Sequence, residues 1–367
     1  MLSDILRTAG YIVGLNSTAI VMVGAERREN EFGLTTANPF QMQKLFREMN
    51  KAGVEWVVME VASHALVQHR TWGIKFETTI MTNLTHEHLD YHGTMEEYAK
   101  AKGKLFSNYP KLSVLNRDDK YYDEFSKYGA IQTLSYGTHE SADCKIIGAK
   151  LGMRGTKLKL KLDEYNLDIK LNIPGRFNAY NALAAASAAY GMDISLDHIK
   201  RGLESVTKVP GRMELIEEGQ EFVVVVDFAH TPDAMENILS TLRTTLKGRL
   251  ITITGSAGAR DKAKRTPMGK IAAENSEIVI ITDDEPHDED PETIRRQILK
   301  GTKSVEYGVV VKEIPDRREA MLQAFKYAKT GDVVAILGMG SQPYRMMNSG
   351  KLKWDDREVA KSLLKKL

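Results

Sequence analysis

One cysteine, Cys144, stands among 367 residues, which excludes an intrachain disulfide and a cysteine-built metal cluster. No window reaches the roughly 18 consecutive apolar residues of a membrane helix. The opening run MLSDILRTAGYIVGL lacks the basic-then-apolar order of a signal peptide. A cytoplasmic chain without a membrane partner is the expectation. An excess of one charge is missing too: 51 Lys and Arg against 49 Asp and Glu leave +2, so nothing global points to nucleic acid. The basic end KSLLKKL reads as a solvated helix end. There is no G-x-x-x-x-G-K-[ST] run, hence no phosphate loop of that type among these residues. Repeats and low-complexity linkers are also lacking. What is present is an ordinary soluble composition, 42% hydrophobic and 27% charged, in a chain longer than one core usually holds. Two domains are expected, residues 1–209 and 210–367, with Pro210-Gly211 as the hinge.

The run from Met59 to Phe106 carries the densest chemistry. Thr94 and Glu97 form a T-x-x-E capping box that starts a helix near Met95. Met95, Tyr98, Leu105 and Tyr109 fall near one face of that helix, and Lys102 lies on the same stripe. An unpaired ammonium there is costly, and burial turns a lysine into a reactive neutral amine. Lys102 is therefore paired, snorkelling or chemically used. Glu60 and His88 are hard-to-borderline ligands suited to Mg²⁺ or Mn²⁺; a lysine ion-paired on its helix and a histidine in a turn explain the same residues. His88 and His92, four apart, lack a third zinc ligand at the usual spacing.

Along the chain, residues 3–15 read as the end of an amphipathic helix and 17–24 as a strand. Pro39 opens a helix. Strands follow at Glu55–Val61, Thr78–Leu84 and 112–116, the first two running to polar residues at their C-terminal ends, the edge where parallel sheets bind ligands. Residues 145–172 alternate apolar and polar with turn signals at Arg154-Gly155 and Asp163-Glu164, which predicts antiparallel hairpins. Asn178 begins an alanine-rich helix ended by Gly191. Beyond Pro210-Gly211, strands at Phe222–Asp227, Arg249–Thr254, Ile278–Thr282, Val309–Lys312 and Val333–Leu337 alternate with helices, a doubly wound sheet.

Four further runs carry candidate chemistry. In VVVVDFAHTPDA, Asp227 ends a strand and His230 follows; the acid suits a ribose hydroxyl, and Asp or Thr before Pro232 suits a helix cap equally well. Gly255 to Arg265 places small residues and four basic side chains after a strand, apt for phosphate or carboxylate, or for a solvated loop. Thr282 to Pro291 has six acids in ten residues, apt for a cation or, more commonly, an exposed loop that caps the next helix. Gly338-Met-Gly-Ser-Gln342 permits close approach of a ligand or merely a tight turn.

Taken together and in order, MEVASHALVQHR, TNLTHEHLDYHGTMEEYAKAK, PGRFNAYNALAA, VPGRMEL, VDFAHTPDA, GARDKAKR, DDEPHDEDP and GMGSQ resemble the Mur ligases, most closely the MurE type. The resemblance spans nearly the whole chain. It implies an α/β protein: a central domain of mostly parallel sheet with an added antiparallel hairpin region, then a C-terminal Rossmann-like doubly wound domain. It implies ATP-dependent addition of an amino acid to UDP-N-acetylmuramoyl-L-alanyl-D-glutamate through an acyl phosphate and a tetrahedral intermediate, with ATP and Mg²⁺ required, in a cytoplasmic monomer. Developing negative charge on the phosphates calls for metal ions and cationic donors.

Residue by residue, the resemblance assigns Glu60 and His88 as metal ligands and Lys102 as a carbamylated lysine that supports the metal, the three forming the catalytic set. Thr35, Thr36, Ser63, Gln68 and Arg70 match contacts to the UDP-muramoyl-dipeptide. Asn178, Asn181, Arg212, Asp227 and His230 match the nucleotide side. Arg260, Asp284, Glu285, Pro286, His287, Gly338 and Gln342 match positions around the incoming amino acid. Departures are equally specific. Ala62 replaces the serine usual before Ser63, and Asp284-Glu-Pro-His287 replaces a D-N-P-R pattern, which leaves the acceptor open. The family's UDP-binding domain and P-loop have no counterpart in these residues, so the chain is expected to begin within the P-loop helix and to ligate little by itself. The alternative is a non-catalytic precursor-binding or regulatory relative. A folylpolyglutamate-type ligase is disfavoured by MEVASHALVQHR and HLDYHG.

Overall fold

The structure, a computed structural model, describes residues 1–30, 32, 34–305 and 308–367. The chain divides into two compact units. The first comprises Met1–Leu151, Gly155–Ile173 and Phe177–Thr207; the second comprises Gly152–Arg154, Pro174–Arg176 and Lys208–Leu367.

The first unit holds two sheets. β1 (Val13–Asn16), β2 (Ile20–Val23), β3 (Glu26–Glu29) and β4 (Trp56–Met59) lie in the order β3-β2-β1-β4, with β1 and β4 parallel and β1, β2 and β3 antiparallel. β5 (Thr78–Met81), β6 (Leu112–Asn116), β7 (Gln132–Gly137), β8 (Cys144–Gly152), β9 (Gly155–Leu162) and β10 (Tyr165–Leu171) form the second sheet, parallel from β5 to β8. Alternation accounts for its far end: Leu158, Leu160, Leu162, Ile169 and Leu171 are buried while the lysines between them face outward. The helices are α1 (Leu2–Thr8), α2 (Pro39–Lys51), α3 (Ser63–Val67), α4 (Leu89–His92), α5 (Met95–Gly103), α6 (Tyr122–Phe125), α7 (Arg176–Gly191) and α8 (Leu196–Glu204).

Two readings of this half are corrected. Residues 3–15 are not one helix. α1 ends before Gly10, whose φ of +98° only glycine adopts freely, and the apolar run after it pairs with β4. A strand of four residues is too short for periodicity to separate it from a helix. Tyr109 does not share the face of α5: the helix stops at Gly103, and Tyr109 is 62% exposed, whereas Tyr98, Ala99 and Phe106 are buried with Met81, Leu84, Leu115 and Phe125. The cap itself forms as its sequence suggests, Thr94 Oγ1 accepting the Glu97 amide at 3.2 Å.

The second unit is one six-stranded sheet in the order β11-β12-β16-β13-β14-β15. Its strands are β11 (Glu214–Ile216), β12 (Val223–Asp227), β13 (Leu250–Thr254), β14 (Ile278–Ile281), β15 (Val310–Glu313) and β16 (Val333–Leu337), followed by a hairpin of β17 (Tyr344–Met347) and β18 (Gly350–Lys353). β12 to β16 are mutually parallel and β11 is an antiparallel edge. α9 (Pro232–Thr245), α10 (Arg265–Asn275), α11 (Pro291–Thr302), α12 (Arg317–Tyr327) and α13 (Asp356–Leu364) complete it. The five-residue strand Val333–Leu337 is buried throughout, as a central parallel strand must be. β11 and the β17–β18 hairpin were not anticipated. Among the described residues no helix is long and apolar enough to cross a membrane.

Candidate functional site

In the first unit the candidate residues lie after β4, in the loop before α2 and on α3 to α5, with Asn178 and Asn181 on α7. β4 delivers Glu60, whose amide donates to the Asn16 carbonyl at 2.8 Å. The Glu60 carboxylate takes the Thr18 amide and hydroxyl on Oε2 at 2.7 and 2.8 Å, and the Thr18 hydroxyl meets that of Thr35 at 3.0 Å. Thr36 is buried and used locally: its hydroxyl donates to the Glu60 carbonyl at 3.1 Å and accepts the Ala62 amide at 3.0 Å. Arg70 donates to the Thr36 carbonyl at 3.1 Å and pairs with Gln68, which reaches the Tyr91 hydroxyl at 3.2 Å. Thr35, Thr36, Gln68, Arg70 and Glu60 thus form one linked group. Ser63 is buried and meets His92 Nε2 at 2.9 Å.

His88 occupies the left-handed region at φ 59°, at the start of α4, with its ring 4.7 Å from that of His64. His92 is not a partner ligand four residues on; it stacks on Tyr98 at 5.0 Å. The Lys102 amine lies 5.3 Å from the centre of the Tyr98 ring. Burial pushes its ammonium below the ordinary lysine range, while Glu87, Glu60 and Asp119 pull it back from a distance. Burial favours the neutral amine over the ammonium, and the neutral amine is the nucleophilic form. No group of three His, Cys, Asp or Glu side chains converges as a ready metal cage among the described residues. Asn178 and Asn181 sit in the first turns of α7, Asn178 buried and Asn181 exposed.

In the second unit the register aligns Asp227 with Leu337 and Thr254 with Ile281, so the ends of β12, β16, β13 and β14 share one edge. Asp227 is buried and both its oxygens are occupied, by the Met213 and Ala229 amides at 2.7 Å each. Burial raises its pKa, and Arg212 and those two amides oppose the rise. The helix cap falls to Thr231, which accepts the Ala234 amide at 3.3 Å. The Arg212 guanidinium lies 4.4 Å from the Phe228 ring, and the His230 ring packs on the same ring at 4.5 Å.

The loop after β14 is not an exposed acidic loop. Asp284 and Glu285 are buried; Asp283 pairs with Arg295; Glu289 holds Arg265 at 2.8 Å; only Asp290 serves as cap, taking the Thr293 amide at 2.9 Å. The four basic residues after β13 are likewise divided. Arg265 is fully buried on Glu289 and Gln297, Lys262 also reaches Glu289 at 3.3 Å, and Arg260 is exposed. Gly338 has φ +116°, and a Cβ there would sit 2.6 Å from Asp284 Oδ2, so only glycine admits that carboxylate beside β16. Burial, then the neighbouring Asp284, raises Glu285 to about 7. Glu285 Oε1 accepts the Met346 amide at 3.1 Å and Gln342 hydrogen-bonds the same carboxylate. His287 is held at φ 55° with its amide on the Met346 carbonyl at 3.0 Å. Arg260, Asp284, Glu285, His287, Gly338 and Gln342 therefore gather at one edge.

Thr18 and Arg345 escaped the reading of the sequence. Thr18 had a usable signal, a hydroxyl beside an apolar run that ends at the same edge as Glu60. Arg345, three residues beyond Gln342, had none short of the fold.

The Mur ligase middle domain matches residues 1–189, and the Mur ligase glutamate ligase domain matches residues 211–340. A Clostridium acetobutylicum protein named UDP-N-acetylmuramoyl-L-alanyl-D-glutamate--2,6-diaminopimelate ligase 1 is 39% identical over all of this chain and 75% of its own length. A solved UDP-N-acetylmuramoyl-L-alanyl-D-glutamate--2,6-diaminopimelate ligase superposes with a TM-score of 0.67 at 30% identity, over 99% of this chain and 74% of that one. The MurF ligase of Thermotoga maritima, solved with ADP, shares the fold at TM-score 0.67 and 16% identity, over 100% of this chain and 76% of its own. Two domain matches in sequence order and a whole-chain relative, on a fold whose strand edges carry the motif residues, have one consequence: the chain belongs to the Mur ligase family of ATP-dependent acid–amino-acid ligases.

Proposed function

We propose that this ligase joins an amino acid to the D-glutamyl carboxylate of UDP-N-acetylmuramoyl-L-alanyl-D-glutamate. The observation that carries the reading is the Lys102 amine, half-buried 5.3 Å from the centre of the Tyr98 ring, lowered in pKa by burial, and in the field of Glu60. The free amine adds to CO₂, forming an N–C bond and releasing a proton, and the resulting carbamate presents two oxygens. With them the donor set becomes two carboxylate-like groups and the His88 imidazole, which fits Mg²⁺. Glu60 suits the role, since its hydrogen bonds fall on Oε2. A bound Mg²⁺ would neutralise phosphate charge. Thr35, Ser63, Gln68 and Arg70 bind and orient the precursor, whose acidic groups meet the Arg70 guanidinium. Asn178 and Asn181 of the first unit and, in the second, Arg212 and His230 are assigned to the nucleotide, with Asp227 fixing the backbone at Met213 and Ala229 beside Arg212 and His230. Arg260, Asp284, Glu285, His287, Gly338 and Gln342 receive the amino acid, whose ammonium suits the two carboxylates and whose carboxylate suits Arg260.

Phosphate release, with product mass, is measured from ATP, the UDP-muramoyl-dipeptide and either meso-diaminopimelate or L-lysine. Release that requires both precursor and amino acid is expected, at whatever rate these 367 residues sustain. Precursor binding with no acceptor-dependent release would favour a binding protein, and the absence of both binding and release would end the ligase reading.

A further inference from the structure

Loop 283–287 carries three of the residues assigned above to the acceptor, and its backbone is fastened by a side chain that no motif includes. Arg345 is 6% exposed. Its Nε donates to the Asp284 carbonyl at 2.8 Å and its Nη2 to the Asp283 carbonyl at 3.0 Å, while the guanidinium lies 5.0 Å from the centre of the Trp354 ring. Beside it, the Met346 amide donates to Glu285 Oε1 at 3.1 Å and the His287 amide donates to the Met346 carbonyl at 3.0 Å. Opposite, the Gly258 amide donates to the Glu285 carbonyl at 2.8 Å. His287 is held in the left-handed region, a conformation that an unsupported histidine leaves. A loop with two adjacent buried carboxylates and a strained residue needs such support, and two charge-assisted bonds to successive carbonyls supply it. The hairpin lies beyond residues 211–340, where the ligase-domain match ends.

We infer that Arg345 is a positioning residue for acceptor recognition: presented by β17 and stacked on Trp354, it fixes the pose in which Asp284, Glu285 and His287 meet the incoming amino acid. The inference rests on the reading that this loop takes the acceptor. Arg345→Ala, Arg345→Lys and Trp354→Leu are compared with the wild-type chain in the presence of precursor and ATP. The readouts are the KM for each substrate, amide exchange at Gly258, His287 and Met346, and thermal midpoint. In Arg345→Ala the acceptor KM rises about tenfold or more while the precursor and ATP KM values stay within about twofold, and the loop amides exchange faster. Arg345→Lys, which keeps one donor to a carbonyl, recovers part of the acceptor KM, and Trp354→Leu falls between. An unchanged acceptor KM in Arg345→Ala, with wild-type turnover intact, overturns the clamp alone. So does a parallel rise in all three KM values with a lost thermal midpoint, the mark of a merely structural role. A wild-type chain that shows neither acceptor-dependent turnover nor slowed loop exchange on adding the amino acid overturns the acceptor reading and the clamp with it.

Discussion

Each unit brings charged groups to the C-terminal edges of its strands, and the two dispose of them differently. In the first, Lys102 has a ring at 5.3 Å and carboxylates at a distance, and Glu60 is held through one oxygen by Thr18. In the second, Arg317 closes two bonds on Asp356 at 2.8 and 2.6 Å and a third on the Leu337 carbonyl at 3.0 Å, with both side chains fully buried. Arg265 pairs with Glu289, Arg295 with Asp283 and Glu313, and Arg345 is bonded to two successive carbonyls. A buried charge held by an opposite charge is scaffold, and its removal leaves an uncompensated partner. A charge whose desolvation has no such partner is a cost to the fold and marks a candidate for function rather than scaffold.

Lys102→Met should have the largest effect. Ligation should fall by at least about 10²–10³-fold, the loss seen when a group that stabilises developing charge is removed. Stability, read by urea unfolding, should hold or rise, because methionine fills similar volume without desolvating a cation. A destabilised Lys102→Met would put Lys102 with the scaffold charges.

Arg317→Met makes the opposite demand. It strands Asp356 without its cation, and about 3–5 kcal/mol of stability should be lost. Adding Asp356→Leu should return much of that loss, since the pair costs more broken than absent. Equal instability of the single and double variants would mean that the pair supplies more than mutual compensation.

Glu285 lies between these extremes, buried yet raised only to about 7 from 4.5. Its folded pKa is above its unfolded one, so the folded chain holds an extra proton between about pH 4.5 and 7. The stability it contributes is present below that window and is lost as pH rises through it, by at most on the order of 3 kcal/mol. Glu285→Gln should flatten this slope in pH-dependent urea melts. A slope unchanged by the substitution would assign it to other groups.

How far the sequence made these features legible depends on the distance over which each is determined. The buried strand Val333–Leu337 and the alternating hairpins of 145–172 were readable, because periodicity and turn residues act within a few residues. The cap at Thr94 was readable for the same reason. β1 was not, since four residues carry no period and its partner β4 lies some forty residues away. Asp227 offered two roles, and its bonds to Met213 and Ala229 supply a third, which only the fold reveals. The acidic run 283–290 looked exposed because its partners Arg265, Arg295 and Arg345 arrive from α10, α11 and β17. Charge counted along a chain says little about charge compensated across it.

The smallest expected effect tests the open side at its least obtrusive residue. Thr18 presents its amide and hydroxyl to Glu60 Oε2, and the hydroxyl also meets Thr35. Thr18→Val keeps the shape and the amide but removes the hydroxyl. Because Glu60 is exposed, water replaces the lost bond, and stability should change by no more than about 0.5 kcal/mol. The orientation of Glu60 is then less well determined, and partners that orient a metal-binding carboxylate are worth roughly 10–100-fold in affinity. The Mg²⁺ concentration for half-maximal ligation should therefore rise by about tenfold while the thermal midpoint hardly moves. A Mg²⁺ dependence equal to wild type would remove Thr18 from the site and leave Glu60 oriented by its strand alone; a large loss of stability would mean that this edge, too, is scaffold, and the contrast between the units would fail at the point where it should be easiest to see.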